Sequence, residues 1–526
     1  MSSISSLTKA ISGLNAAQKG LQVTGHNISN TNTKGYTRQQ LLQSDSSYLT
    51  VGINGGYKMQ VGLGVTCDEI RQIRDDLADK RFRTESSVLN YYQKLNSVTT
   101  DIESMFDEPY GDTISDLLNT FWSQAQKLST SPTGVEERMS FISTAKVLAS
   151  KVNKVTESLT EYQQKLNIDV EAATSRINEI IEEIAEYNEK ISIEKVTGEN
   201  ANDYRDQRNL LLDELSTYGN ISYYEEADRR VAVSFEGHTV VNKGITIKMK
   251  LEQTEEGSPF SSPIWEDSGS RVYKLDEKTT SVEGNDTGSL KALLVARGNN
   301  VVNQGTQWKD IALNDNLSVD AEGNAFVIPK IQKLLNDFTS GLVSLVNDTF
   351  KGTGIGGHEG KDGVTVFTQI HEGQGLIAGN IQVNPELLES GGYNKLGTVK
   401  KGENGVDNSS NTGDNSIITD FLTKMNENKT WYQGAGDSAP YQKTSTLKDF
   451  FSELVTDLGT QGSLFTSKAN EKNISVTNIE NERQAMGGVS TDEEFSNMLK
   501  YQYAYNASAR MITMLDGMLD TIINKM

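Results

Sequence analysis

Residues 152–191 read VNKVTESLTEYQQKLNIDVEAATSRINEIIEEIAEYNEKI. Val152, Val155, Leu159, Tyr162, Leu166, Val170, Ala173, Ile177, Ile180, Ile184, Tyr187 and Ile191 follow one another at intervals of three and four, with Glu and Lys outside them. That spacing gathers the apolar side chains on one face of an α-helix. Sustained over this length, it predicts a coiled coil or a long helix in a bundle. A helix of ~40 residues is ~60 Å long. Such a rod serves spacing and stacking, and an enzyme core rarely needs one.

The helical pattern extends around this stretch over 69–215. Past Tyr218 the period changes. Val231, Val233 and Phe235 alternate, Gly237-His238 turns the chain, and Ile245, Ile247, Met249 and Leu251 alternate again, which predicts a β-rich segment from about 220 to 290. Residues 329–350 return to helix, with Ile331, Leu334, Leu335, Phe338, Leu342 and Leu345 on one side. Residues 351–445 are rich in Gly, Asn, Asp and Ser, and short strands at most are expected there.

Both ends carry heptads. Residues 1–30 place Leu7, Ile11, Leu14, Leu21 and Ile28 on an apolar stripe, with Gln18 and Gly25 in the slots between. Gly13, Gly20 and Gly25 each weaken that helix by up to ~1 kcal/mol. At the other end, Ser490-Thr491-Asp492-Glu493 fits a capping box, and Met498, Tyr501, Tyr505, Ile512, Leu515, Leu519 and Ile522 follow the heptad, with Ser508 in its polar slot. Neither helix buries enough apolar surface alone to offset the entropy of ordering it. Paired with each other and with copies of themselves, they gain that surface. The expectation is a chain whose ends fold on assembly.

Length and composition bound the remaining classes. A chain of 526 residues makes roughly two to four domains. Its net charge of −21 disfavours non-specific nucleic-acid binding and attraction to anionic lipid. One cysteine, Cys67, excludes an intramolecular disulfide framework and a four-thiolate zinc site. Mean hydropathy is −0.49, and no apolar run approaches the ~20 residues of a spanning helix. The opening thirty residues have neither the basic start nor the apolar core of a secretory signal. By ordinary rules the chain stays in the cytoplasm, unless a dedicated route exports it.

The run Asn27-Ile28-Ser29-Asn30-Thr31-Asn32-Thr33-Lys34-Gly35-Tyr36 ends the first helix in side chains that favour caps and turns. From Thr37 to Cys67 the pattern is extended and turn-rich. This run resembles the N-terminal signature of the bacterial flagellar axial proteins of the rod, hook and hook-associated group, and Arg38-Gln39 after it is similar to the hook-associated branch. Further blocks agree in order. They are Gly64-Val65 with Ile70, Arg71, Arg74, Asp75 and Leu77, then Glu108-Pro109, Leu118-Asn119, Phe121-Trp122, Pro132 and Arg138. Arg205-Asp206-Gln207-Arg208 with Leu211, Leu212, Leu215 and Ser216 follows, then Gly288-Ser289-Leu290 with Ala292-Leu293-Leu294 and Arg297. Tyr501-Gln502, Ala504-Tyr505, Ala507-Ser508-Ala509-Arg510 and Asp520-Thr521 close the series. The likeness covers about 1–350 in blocks and about 470–526, and leaves 351–445 almost unread.

The resemblance implies a structural subunit, not an enzyme, assembling between flagellar hook and filament. It implies export without a cleaved signal peptide, through the flagellar type III apparatus. Its partners would be copies of itself in a ring or helical turn, the hook protein, the second hook–filament junction protein, and the export chaperone and gate, with no cofactor. The alternatives are another axial subunit of hook or distal rod, or an axial protein carrying an enzymatic or adhesive outer insert. The fold expected is α+β and multidomain. Residues 1–36 and 490–526 form a terminal helical domain pairing as a coiled coil and lining a channel. Residues 37–217 and 446–489 form a helical rod, and 218–445 a β-rich outer domain with a variable insert. The expected assembly interface is Leu7, Ile11, Leu14, Leu21, Ile28, Asn30, Gly35, Tyr36, Met498, Tyr501, Tyr505, Ile512, Leu515, Leu519 and Ile522. Arg38, Arg71 and Arg74 would add charge-assisted contacts at the base of the helical domain.

Residues that carry chemistry elsewhere are set here in bland contexts. His358-Glu359-Gly360 and His371-Glu372-Gly373 repeat thirteen residues apart without the two-ligand helical spacing of a zinc site. Gly352-Thr353-Gly354-Ile355-Gly356-Gly357 follows a predicted helix and lacks the Lys-Ser/Thr of a phosphate loop. Asp407, Ser409 and Asn411 start like a calcium loop, but Thr412 stands where Gly is needed and Ile418 where the bidentate Glu belongs. Glu179, Glu182, Glu183, Glu186 and Glu189 read as a solvated helix face, and His26 and Asn27 as a polar face ending in a cap. No metal or cofactor site is assigned. Hydrogen exchange on the monodisperse chain should show weak amide protection over 1–30 and 495–526, rising on assembly. Strong protection there in the monomer would refute folding on assembly.

Overall fold

The computed structural model describes residues 2–54, 57–106, 112–197, 201–275, 286–313, 325–352, 354, 362–400, 413–433 and 441–525. Helix α1 (Ser2–Ser29) leads into strands β1 (Gln39–Asp45), β2 (Tyr48–Asn54), β3 (Tyr57–Gly62) and β4 (Val65–Gln72). Helices α2 (Asp76–Phe106), α3 (Ile114–Thr130), α4 (Val135–Thr197) and α5 (Asn202–Tyr218) follow. Next come β5 (Ile221–Glu225), β6 (Val231–Phe235), β7 (His238–Asn242), β8 (Ile245–Thr246), β9 (Met249–Gln253) and β10 (Ser261–Trp265). After α6 (Gly288–Arg297) and α7 (Val327–Thr349) lie β11 (Phe367–Gln369), β12 (Ile381–Val383), α8 (Pro385–Leu388) and α9 (Ser416–Met425). The chain closes with β13 (Lys429–Gln433), β14 (Tyr441–Ser445), α10 (Leu447–Gly487) and α11 (Thr491–Lys525). The architecture is α+β, as the sequence predicts.

The 152–191 stripe lies inside α4, which runs 63 residues, about 95 Å. Val152, Leu159, Leu166, Val170, Ile177, Ile180, Ile184 and Ile191 are buried. The stripe packs against α3, α5, α6 and α7 of the same chain, so its periodicity encodes a bundle helix. α10 lies antiparallel along α2, marked by Thr466–Asn96 at 2.6 Å and Lys472–Glu85 at 3.0 Å. Gly462 allows that approach, since a Cβ there would stand 2.8 Å from Glu103 Oε1 and 3.2 Å from Thr99 Cγ2.

The paired strands are antiparallel, and β5–β6–β7–β8 form a four-stranded meander. Its tight turn is Glu236-Gly237, both at positive φ (47° and 77°), one residue before the Gly237-His238 expected. The alternation at 245–251 is split between β8 and β9, and Ile245 and Leu251 are exposed. Residues 351–445 hold more than short strands. α9 buries Ile418 and Phe421, and Phe421 stacks edge-on to Phe121. Three-residue anchors flanked by polar residues are too sparse a pattern to read as a helix.

Arg138 fastens this region to the base of α4. Its side chain donates to the carbonyls of Tyr393 (2.9 Å), Pro132 (2.8 Å) and Leu396 (2.6 Å) and to Thr398 Oγ1 (2.8 Å). Burial lowers its pKa to about 10, so it remains charged at neutral pH. Arg138→Met should strand three buried carbonyls and lower unfolding free energy by about 3 kcal/mol or more in urea titration. Arg138→Lys should recover only part, because an ammonium does not span four acceptors. A loss below about 0.5 kcal/mol would refute the fastening role.

Candidate assembly site at the paired termini

α1 packs antiparallel against α11 through small residues. Ala10, Ala17, Thr24 and Asn27 are buried, and with Gly13 and Gly20 they step by threes and fours. Three pairs mark the register: Gly13 faces Ser508, Gly20 faces Tyr501, and Asn27 faces Glu494, each seven residues from the next on both helices. A Cβ on Gly20 would lie 2.5 Å from the Tyr501 ring, and one on Gly13 would lie 3.0 Å from Ser508 Oγ. These glycines cost intrinsic helix stability and return it as close approach.

The contact face of α1 thus includes small residues beside the large apolar ones expected there. Leu7, Leu14, Leu21 and Ile28 are half-buried, and Ile11 is 43% exposed. Counting only large apolar residues passed over Ala10, Gly13, Ala17 and Gly20, because Ala and Gly carry no weight in that count. On α11 the expected face is the inner one. Met498, Tyr501, Ile512, Leu515 and Leu519 are half-buried toward α1, Tyr505 is 37% exposed, and Ile522 is placed in α11 by its backbone. A second stripe, Phe495, Leu499, Tyr503, Met511, Met514 and Met518, faces outward.

The loop after α1 is clasped to this pair by one buried amide. Asn27 Nδ2 donates to Gln39 O (2.9 Å) and Glu494 Oε2 (3.1 Å), and Asn27 Oδ1 accepts from Gln39 N (3.0 Å) and the Tyr36 hydroxyl (2.7 Å). All four of its hydrogen-bonding positions are used. Asn27 is thus a buried clasp, not the exposed cap its sequence setting suggests. His26 Nδ1 meets the same Tyr36 hydroxyl at 3.0 Å. Burial, with Asp206, Asp203 and Glu494 nearby, raises the Tyr36 pKa and keeps the phenol protonated. Asn30 holds the turn through His26 O (3.0 Å) and Thr33 Oγ1 (3.1 Å). Gly35, at φ +79°, rests on Leu210, where a Cβ would come within 2.4 Å.

Below the clasp, charged side chains join the termini to the helical body. Arg38 pairs with Glu493 (2.9 Å) and Glu494 (2.8 Å), and its N–H donates to Gly487 O (2.8 Å). Arg74 pairs with Asp79 and meets Thr37 Oγ1 at 3.3 Å and Asp206 at 3.9 Å. Arg483 bridges Asp79 and Asp213, each at 2.7 Å, and lies over the Phe82 ring. Arg71 reaches only Gln40 at the surface. A cleft of about 890 Å³ opens between residues 31–38, α5 and residues 480–493. Asp79, Arg483 and Glu494 carry this junction and were not singled out in the sequence. Glu494 was legible as the heptad partner of Asn27, but the two ion-pair partners leave no periodic mark.

Among the described residues, the other candidates gather no site. His371 sits in a turn, with its N–H donating to Asn380 Oδ1 at 2.7 Å, while His358 lies outside the described residues. Gly352 and Gly354 follow α7, whereas Thr353, Ile355, Gly356, Gly357, Asp407, Ser409, Asn411 and Thr412 lie outside the described residues. Glu179 and Glu183 pair with Arg176, Glu182 with Lys248, Glu186 with Lys190 and Glu189 with Arg230, so the acidic face is ion-paired, not merely solvated. Among the described residues, no helix is long and apolar enough to cross a membrane, and no three metal-ligating side chains converge.

Long helices clasped at both chain ends define an elongated subunit built to assemble. The ends match families of flagellar axial proteins, "Flagella basal body rod protein" over residues 7–37 and "Flagellar basal body rod FlgEFG protein C-terminal" over 485–525. Between them, residues 99–367, just over half of the chain, match "Flagellar hook-associated protein FlgK helical domain". The chain belongs to this hook-associated family, and its members are structural proteins of the bacterial flagellum. It is 25% identical to flagellar hook-associated protein 1 of Bacillus subtilis, over 99% of this chain and 98% of that protein. It is 24% identical to the Escherichia coli protein of the same name, over 98% and 99%. Its fold is similar to that of the flagellar hook junction protein FlgK from Burkholderia pseudomallei, with TM-score 0.54 and 10% identity, over 78% of this chain and all of that one.

Asp206 makes the junction sensitive to pH. It accepts from Thr37 N (3.2 Å) and Gln72 Nε2 (2.8 Å). Burial nevertheless raises its pKa to about 6, against the lowering effects of Thr37 and Arg74. A carboxyl with a raised folded-state pKa contributes stability that is fully present below the unfolded value and is lost as pH rises through the folded one. The wild-type chain should therefore lose stability relative to Asp206→Asn between about pH 4 and pH 6, by up to roughly 3 kcal/mol. Thermal unfolding of both proteins across pH 4–8 checks this. Parallel curves would refute it.

Proposed function

We propose that the chain is the structural adaptor that assembles between the flagellar hook and the filament. The observation that carries this reading is the terminal pair, α1 against α11, which packs within one chain where the sequence alone predicts ends that fold only on assembly. Its small-residue seam is satisfied within one chain, and an apolar stripe, Phe495–Met518 on α11, is left exposed on its surface, with Ile11 of α1 exposed as well. An exposed apolar stripe of this kind marks an interaction surface. The clasp at Asn27 and Arg38 holds the pair at a fixed angle to the helical body, so copies meeting through the pair would present α2–α5 and the outer segment in one orientation. The division into residues 1–36 with 490–526, 37–217 with 446–489, and 218–445 is part of the proposal. In it the first unit lines a channel, the second spaces, and the third faces neighbours.

Export of the unfolded chain through the flagellar type III apparatus, escorted by a dedicated chaperone to the export gate, belongs to the same reading. So do contacts with the hook protein, the second junction protein and copies of itself. The role is mechanical and calls for no turnover. Immunogold labelling of intact flagella with antibody to residues 220–445 tests it. One compact band at the hook–filament boundary is expected, and label spread along hook, rod or filament would reassign the chain to another axial position. Truncation after Gly488 removes α11 and should leave a chain that does not complete a junction. Normal filament growth on such cells would refute the role given to that helix.

A further inference from the structure

A groove of about 760 Å³ runs between α1, strands β1 and β4 and the start of α5. Val23 and Leu41 supply an apolar floor, and Asp68, Glu69, Glu194 and Asp203 line it beside Cys67. Lys19 and His26 bring the cationic or ionisable nitrogens to this lining, and His26 is already engaged by Tyr36. Glu69 lies 3.7 Å from Arg229, while Asp68 and Asp203 accept from the neutral Ser44 and Gln39 side chains. The groove is thus apolar at its base and negative at its rim.

The outward face of α11 has the opposite character. Leu499, Tyr503, Met511 and Met514 are exposed on it. At 3.6 residues per turn, Lys500 and Arg510 fall among them, about 15 Å apart, whereas Asp516 and Asp520 fall off the face. That face points away from α1 of its own chain, so it does not reach its own groove. We infer that the groove beside α1 receives the outward face of α11 from a second copy of the chain, Lys500 and Arg510 lying along its acidic rim. The contact is heterologous, a groove on one copy and a helix face on the next, and it propagates as a ring or a helical turn. The inference rests on the adaptor reading and names which surfaces that reading uses.

The lone cysteine makes a native reporter. The full-length chain carrying Tyr503→Cys, and separately Met514→Cys, is assembled on flagella of living cells and mildly oxidised. A ladder of covalent dimers and higher species is expected from at least one of them, lost when Cys67→Ser is added and absent from Asp516→Cys. Assembly without a ladder from either variant overturns the inference and leaves the adaptor reading intact. Failure of the wild-type chain to assemble at all overturns both. Independently, Lys500→Glu with Arg510→Glu should cut incorporation at least ten-fold, and Asp68→Lys with Glu194→Lys on the same chain should restore it. A loss that the reversed rim does not restore counts against the pairing.

Discussion

The side-chain amide of Asn27 is the point on which the two ends of the chain depend. It ties the last turn of α1 to the first residue of β1, to the loop through Tyr36, and to the first turn of α11 through Glu494. A group buried to 1% exposure with four partners tolerates few arrangements, because any shift strands a donor or acceptor away from water. Leucine in that place would pack without specifying an angle. The amide fixes the crossing of α1 and α11 and, through Arg38 and Glu494, where that crossing sits on the body.

The ion pairs beneath it serve the same end. Arg74, Arg83, Arg483, Asp79 and Asp213 are largely buried, and desolvating them consumes much of what their attraction yields. Their net gain in stability is small beside that of the apolar core, while their geometry is demanding. Arg483 must reach Asp79 on α2 and Asp213 on α5 from the last turns of α10, so three helices are held at one relative position. In the proposed adaptor, this joint would fix the orientation of the helical body relative to the terminal pair. The raised pKa of Asp206 reflects the cost of burying a carboxylate at this joint, which Thr37 and Arg74 offset only in part.

What the sequence disclosed followed from periodicity. The α4 stripe was legible because large apolar residues repeat without interruption, and the α11 seam for the same reason. The α1 contact was read incompletely because its six small residues, Ala10 to Asn27, carry little weight in a count of large apolar side chains. They are informative only as spacers at intervals that match Tyr501 and Ser508. Long-range pairs such as Arg138 with Leu396, or Arg483 with Asp213, join residues hundreds of positions apart and leave no local pattern. The resemblance by blocks picked out Arg138 and Asp206 as positions of interest and was silent on their bonding.

Charge then accounts for where assembly is possible. The chain carries a net −21, so copies approaching through their bodies repel one another. Residues 1–38 contain Lys9, Lys19, Lys34 and Arg38 and no Asp or Glu. The acidic residues of α11 are gathered at its start, where Glu493 and Glu494 are used by Arg38, and at Asp516 and Asp520 beyond its outward face. The terminal pair is the part of the molecule on which like charges have been removed from the apolar stripes. Close packing of many copies is cheapest there. In the proposed assembly, repulsion among the acidic bodies would splay them outward from the terminal pairs, the same arrangement the clasp would favour.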